Sequence, residues 1–477
     1  MNEERFSLKD HLFNAEKVSY LGGLLETGVD GFDRERFESA VMAELAELEL
    51  KQRIALIARV LETHLDRDFQ VACAQIVASL PPPLDPGRSD DDFGDFIIAP
   101  FGDFVAKNGL AHYDSAMATL LELTKRFSME GAVRPFIDAR PDKTLELFSE
   151  WAEDGNYHVR RLVSEGTRPR LPWAPRIAID VRAPLPLLDK LHADRTRYVT
   201  RSVANHLNDI TKVDPDVVIS VLERWRQEGR QKPGELDWMT RHALRTLIKL
   251  GHRQTMALLG HSPDPEVSAG PIQLDTAVVS AGESVAFSIT LTANADEKLI
   301  VDYTIDFVRK DGTRRPKVYK LGKLEMGAGQ IATLRKSHRL HADATTYSLY
   351  PGTHSLTVTA NGKPVATTDF EVTSDRTNPV RPSASSWVDI FVYSYILEDG
   401  CHEQQPPLTL STQSLSHADA RSSTSWPTGS AQWAISSERS RSPSLRSPST
   451  SRCSRRWVWS SRARWGDNAS TRSTRWH

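Results

Sequence analysis

Three short stretches, YHVRRLVSE (157–165), RYVTRSVAN (197–205) and DWMTRHALR (237–245), align at a spacing of 40 residues. Val159, Val199 and Met239 correspond, as do Arg161, Arg201 and Arg241, and then Val163, Val203 and Ala243. A helical unit repeated every ~40 residues is the period of HEAT-type solenoids. One such unit cannot bury its apolar face alone, so units stack, share a core and curve into an extended concave surface. The rest of the first half obeys the same constraint. RFESAVMAELAELELKQRIALIARVLETHL carries apolar residues at three- and four-residue steps. DKTLELFSEWA and DPDVVISVLERW repeat the pattern, and Asp214-Pro215 supplies an N-cap followed by Pro at the first helical position.

HSPDPEVSAGPIQ (261–273) breaks the helical period, because Pro263, Pro265, Gly270 and Pro271 cannot extend a helix. Beyond it the period becomes two. Val285, Phe287, Ile289 and Leu291 alternate with small or polar residues, as do Val301, Tyr303, Ile305 and Phe307. Asn361-Gly362 after Leu356 and Val358 signals a hairpin. The expected architecture is therefore mainly α: a HEAT-like α-solenoid over residues 1–265, then a small all-β immunoglobulin-like sandwich over 272–375. Residues 376–477 differ from both. Between 411 and 477 stand 20 Ser, 11 Arg and 6 Trp with no Lys, and no period survives. A basic nucleic-acid-binding tail and a disordered tail are two readings. Six Trp and the avoidance of Lys favour a frameshifted extension over both.

Composition removes several classes. No run approaches the roughly 18 apolar residues of a membrane helix, and MNEERFSLKD has no apolar signal core. Cys73, Cys401 and Cys453 lie too far apart for a disulfide framework or a zinc site. A cytoplasmic protein without metal or membrane partner is expected. The net charge of -2 hides a local excess. Residues 158–201 hold nine Arg and one Lys against Glu165, Asp180, Asp189 and Asp194. Arg suits bidentate phosphate contacts. Because the Arg positions recur with the repeat, a cationic strip along one edge of the solenoid is expected, as a DNA backbone demands.

HVRRLVSEGTRPRLPW (158–173), followed by PLPLLDKLHADRTRYVTRSVANHLNDITK, resembles the AlkC-type DNA alkylation repair proteins, which belong to the HEAT-like alkylbase DNA glycosylases. FSLKDHLFNAEKV, DDFGDFIIAPFGDFVAKNGL and FSMEGAVRPFI fit the same family. The resemblance runs from about residue 5 to 373 and includes the immunoglobulin-like domain of many members. The stretches SEGTRPRLPW and SVANHLNDI are its specific parts. One departure is Gly131, where the family leads us to expect an aromatic.

The resemblance implies a monomeric, cofactor-free, monofunctional glycosylase. It would excise 3-methylcytosine, 3-methyladenine and 1-methyladenine from duplex DNA without full base flipping. It also implies Asp209, Glu165, Glu130 and Trp173 as catalytic residues, and Arg160, Arg161, Arg168, Arg170 and Arg201 as DNA contacts. The chemistry needs these residue types. A cationic base already leaves well, so the enzyme must stabilise the developing positive sugar and place a water, which a carboxylate does. An aromatic face adds roughly 0.5–2 kcal/mol toward a cation. Each residue also has a plainer alternative. Glu165 can be an ordinary i,i+4 partner of Arg161, Trp173 a core aromatic, Arg161 a brace between repeats and Asp209 a helix cap. His158 and His206 read as structural. A non-catalytic HEAT scaffold, or a DNA-binding relative without activity, is the rival to the enzyme.

Overall fold

In the computed structural model, residues 7–87, 94–341 and 349–373 are described; the whole of the stretch after 376 lies outside them. Helices occupy the chain from Leu8 to Leu258 and strands from Val267 to Thr373. The local signals behave as their chemistry requires. Asp214 Oδ1 accepts from Val217 N at 3.2 Å and Pro215 opens the helix Pro215–Glu228, which ends on Gly229 in the left-handed region (φ 62°). Asn156 caps the helix Tyr157–Gly166 in the same way, accepting from His158 N at 2.9 Å.

The repeated stretches become three stacked helices: Tyr157–Gly166, Arg197–Ile210 and Pro233–Ala243. In the first every residue is buried, and in the second every residue from Tyr198 to Ile210. Their apolar positions, including Val159, Val163, Val199 and Val203, enter one core that runs through the helical region. Their polar residues cannot reach water, so they bond across the repeat. Asn208 Nδ2 donates to the Ala243 carbonyl at 2.8 Å, and Ser202 Oγ lies 3.0 Å from Ser164 Oγ.

The sandwich has its own core, built from the alternating residues read in the sequence: Val285, Phe287, Ile289, Leu291, Val301, Tyr303, Ile305 and Phe307 are all buried. Its strands are β1 (Val267–Ala269), β2 (Gln273–Leu274), β3 (Val278–Ser280), β4 (Ser284–Ala293), β5 (Glu297–Val308), β6 (Arg314–Met326), β7 (Ile331–Arg339), β8 (Gly352–Ala360) and β9 (Lys363–Thr373). One sheet runs β1-β4-β2 with β7 also paired to β4; the other runs β3-β9-β8-β5-β6. Among the described residues only the β3–β9 pairing is parallel. Asn361 (φ 48°) and Gly362 (φ 82°) form the β8–β9 turn, the conformation a two-residue hairpin of this type needs.

The boundary expected at 272 is corrected. Strand pairing starts at Val267, opposite Ala293, so much of the proline-rich stretch belongs to the sandwich rather than to a linker. What remains of it is tied down. Asn361 Nδ2 donates to the Ser262 carbonyl at 2.9 Å while Asn361 Oδ1 accepts from Ile300 N at 2.8 Å. The hairpin turn meets the helical region glycine to glycine: a Cβ on Gly362 would fall 2.1 Å from Gly251 Cα, a contact no side chain permits.

Candidate active site

Two helices place the site. On Tyr157–Gly166 and just past its end, Arg161, Glu165 and Arg168 recur at i, i+4 and i+7. On Arg197–Ile210, Ser202, His206 and Asp209 do the same. Such spacing puts each trio on one helix face. Arg161 Nη1 donates to Glu130 Oε2 at 3.2 Å and to Ser128 Oγ at 2.9 Å, and its other nitrogen lies 3.8 Å from Glu165. Arg168 donates to Glu165 Oε1 at 2.5 Å and, through Nε, to Asp209 Oδ2 at 3.0 Å. Lys212 reaches the other Asp209 oxygen at 3.0 Å, and Ser202 Oγ donates to Glu165 Oε2 at 2.6 Å. The structure thus joins the three candidate carboxylates into one chain, Glu130–Arg161–Glu165–Arg168–Asp209. Three acids face three cations, and of the six only Lys212 is more than 8% exposed.

This arrangement is expensive for a scaffold. Buried ions lose solvation that their mutual attraction repays only with good geometry. Glu165 and Asp209 also sit in the last turns of their helices, where the helix dipole disfavours an anion. Burial pushes the Glu165 carboxyl up, but Arg168, Arg161 and the Ser202 hydroxyl outweigh it and hold its pKa at about 2. Glu130 goes the other way: burial, against the pull of Arg161, leaves it above the usual range. His206 is fully buried with Nδ1 3.0 Å from the Ser164 carbonyl, so Nδ1 carries the proton. Burial, with Arg168 nearby, lowers its pKa to about 4 and keeps it neutral.

The expected cationic strip is corrected. Arg160 turns inward, bonding Asp194 at 2.5 and 3.1 Å and the carbonyls of Asp154 and Gly155, so its guanidinium braces the fold. Arg161 and Arg168 are drawn into the carboxylate chain, and Arg161 also lies 4.5 Å over the Tyr198 ring. Arg201 is buried; Arg170 alone of the five is exposed. Of the repeat-related arginines, Arg161 is answered by Glu130 and Glu165 instead of facing solvent. Trp173 is half-buried, packed against the helical core on the irregular segment after Gly166, with Lys51 donating to its carbonyl. Gly131, the departure beside Glu130, has open space where a Cβ would point. Ser202, Lys212 and Tyr198 were not among the residues singled out from sequence. The i, i+4, i+7 run through Ser202 and Asp209 was the available signal for the first.

Three comparisons bear on this geometry. A family model described as the C-terminal Ig-like domain of the uncharacterised protein YhaZ matches residues 268–374. Uncharacterized protein YhaZ of Bacillus subtilis (strain 168) is 32% identical over 365 residues, 76% of this chain and 98% of the relative. The structure of Pseudomonas fluorescens alkylpurine DNA glycosylase AlkC, bound to DNA containing an abasic site analog, is 35% identical to this chain with a TM-score of 0.69. The match covers 77% of this chain and 100% of that one.

Proposed function

Because the chain belongs to the AlkC-type family of DNA alkylation repair proteins, helical-repeat proteins with a C-terminal immunoglobulin-like domain, we propose that it is a monofunctional DNA glycosylase. Its substrates are cationic N-alkylated bases, 3-methylcytosine, 3-methyladenine and 1-methyladenine, in duplex DNA, excised without full flipping. It works as a cytoplasmic monomer without cofactor. The observation that carries this reading is the buried chain of three carboxylates and two arginines, on helices whose family relative is DNA-bound. A protein-binding scaffold gains nothing from it.

In the proposed reaction the C1′–N bond breaks and its electron pair neutralises the cationic base, which leaves without needing a proton. Positive charge develops on the sugar. Asp209 stands beside C1′, stabilises that charge and accepts the proton of the attacking water, whose oxygen becomes the C1′ hydroxyl of an abasic site. Glu165, ionised at any working pH, and Glu130 orient base and water. Trp173 offers its face to the cationic base. Arg168 stands between Glu165 and Asp209, donating to both, and helps to hold Glu165 ionised. Purified protein incubated with methylated duplex should release free alkylated bases, identified by chromatography; no free base from any methylated duplex would sink the reading.

Phosphate binding moves with the correction above. Arg170 is exposed, and residues 309–341 of the sandwich hold ten Lys or Arg against Asp311 and Glu325. Arg314, Arg315, Lys320, Lys323, Arg335 and Arg339 among them are exposed. Affinity for undamaged duplex should therefore fall steeply with salt, with a log–log slope of about -0.9 per phosphate contact. Lys320→Ala with Lys323→Ala should flatten that slope by about one to two units while leaving base release at saturating enzyme unchanged. An unaltered slope would remove β6 from the DNA surface.

A further inference from the structure

The segment between Gly166 and Pro175 carries Arg168, Arg170 and Trp173 and has no regular structure of its own. One side chain ties it at three points. Arg134, in the helix Arg134–Ala139 and four residues past Glu130, is buried. Its Nε donates to the Pro175 carbonyl at 2.7 Å, and its Nη1 donates to the carbonyls of Gly166 and Arg168, both at 2.9 Å. Two of the acceptors lie at the start of the segment and the third at its end. Gly166 makes this approach feasible, since a Cβ there would meet Val133 Cγ2 at 2.8 Å. Two outer ties add to it: Lys51 donates to the Trp173 carbonyl, and Asp138 Oδ1 accepts from Ala178 N at 2.7 Å.

We infer that Arg134 is the positioning residue of the site: its fork fastens the segment 166–175 and so sets where Arg168 and Trp173 stand against the three carboxylates. The inference rests on the glycosylase reading for the reaction it serves. Arg168 is held at both ends, its carbonyl by Arg134 and its guanidinium by Glu165 and Asp209. Releasing the carbonyl lets the whole residue move. Among the described residues no carboxylate lies within ion-pair distance of Arg134, so the buried charge is not spent on a salt bridge. Burial lowers its pKa, the cost of holding a cation there. A lysine cannot replace it, because a single ammonium does not span three carbonyls set along a planar fork.

Two readouts test the inference separately. Trypsin cuts poorly before proline, so in this segment it cuts after Arg170 and not after Arg168. Arg134→Lys should speed that cut by roughly tenfold or more, because cleavage needs the segment to open. It should also lower the single-turnover rate of base release at saturating enzyme by roughly tenfold or more, the scale of an ångström-level misplacement. The enzyme concentration at half-saturation should change less than the rate, since the exposed cations of β6 and β7 lie outside the segment and only Arg170 lies within it. A residue with only a structural role would instead lower the active fraction and leave the rate per folded molecule intact. If Arg134→Lys does not fold, Arg134→Gln, which keeps one donor and buries no charge, carries the same test. Wild-type cutting and wild-type rate per folded molecule overturn the inference. A wild-type protein that releases no base overturns the glycosylase reading instead, and the tryptic result then still decides whether Arg134 fastens the segment.

Discussion

Asp209→Asn should cut base release by roughly 10²-fold or more, the loss typical of removing one electrostatic or acid–base group, while duplex affinity holds or rises slightly. The substitution suits the site. Asp209 is the end of the carboxylate chain, bonded to Arg168 and Lys212. Asn keeps the shape and one acceptor oxygen, and Arg168 still has Glu165 at 2.5 Å. Glu165→Gln is harsher, because Glu165 is the shared partner of Arg161 and Arg168. Removing its charge leaves Arg161 with Glu130 and Arg168 with Asp209 as their remaining carboxylates, and breaking one buried pair costs about 3–5 kcal/mol. Glu130→Gln should be the mildest for stability, since burial already favours the neutral carboxyl there. Single-turnover release of 3-methyladenine from the three variants, each checked for folding by its melting temperature, separates the roles. A wild-type rate in folded Asp209→Asn moves the essential charge to Glu165 or Glu130. Wild-type rates in all three end the mechanism.

The second large effect is loss of stability in acid. His206 and His338 have pKa values of about 4 and His242 about 3, each lowered first by burial and then by neighbouring Arg or Lys. His242 packs flat on Trp238 with Nε2 2.9 Å from Asn205 Oδ1, and His338 Nδ1 lies 2.9 Å from the Tyr303 hydroxyl. An unfolded chain takes up these three protons near pH 6.5; the folded chain refuses them until about pH 4 to 3. The unfolded state therefore binds more protons across that window, and stability, fully present above pH 6.5, falls as pH is lowered. The fully buried His206 contributes at most ~1.4 kcal/mol per pH unit, and the more accessible His242 and His338 add less because solvent screens them. Below pH 4.5 Glu165 adds to the loss, because its folded pKa of about 2 lies beneath its ordinary value. Thermal melts from pH 7.5 to 4.5 should show a steep decline that His206→Gln or His338→Gln makes shallower. A melting temperature independent of pH above 5 contradicts the assignment of buried neutral histidines.

The buried histidines mark where reading a sequence stops. His206 reads as structural because no partner stands at metal-ligand spacing, yet its surroundings in the fold are charged. The same holds for the arginines. Nine Arg between 158 and 201 read as a phosphate-binding strip because, Glu165 apart, the acids that answer them are distant along the chain. Arg160 meets Asp194 34 residues on, and Arg168 meets Asp209 41 residues on. Those separations are close to the repeat length, so stacking of the helices makes the pairs. The start of the sandwich was hidden for a related reason: Val267–Ala269 becomes a strand only by pairing with Leu291–Ala293.

What the sequence determined by itself is what local physics writes into it. Apolar spacing near 3.6 yielded the helices, alternation at two yielded the strands, Asp214-Pro215 a helix start and Asn361-Gly362 a turn, because each depends on neighbours within a few residues. The three carboxylates were legible as candidates, since each lies in a stretch that resembles one family. The tertiary structure alone decided that they share two arginines, that Arg160 is a brace, and that Arg134 holds the segment bearing Trp173. The contacts among them that cross between helices and segments join residues 31 to 41 positions apart, and no local preference encodes which buried charge a stacked helix will bring to another.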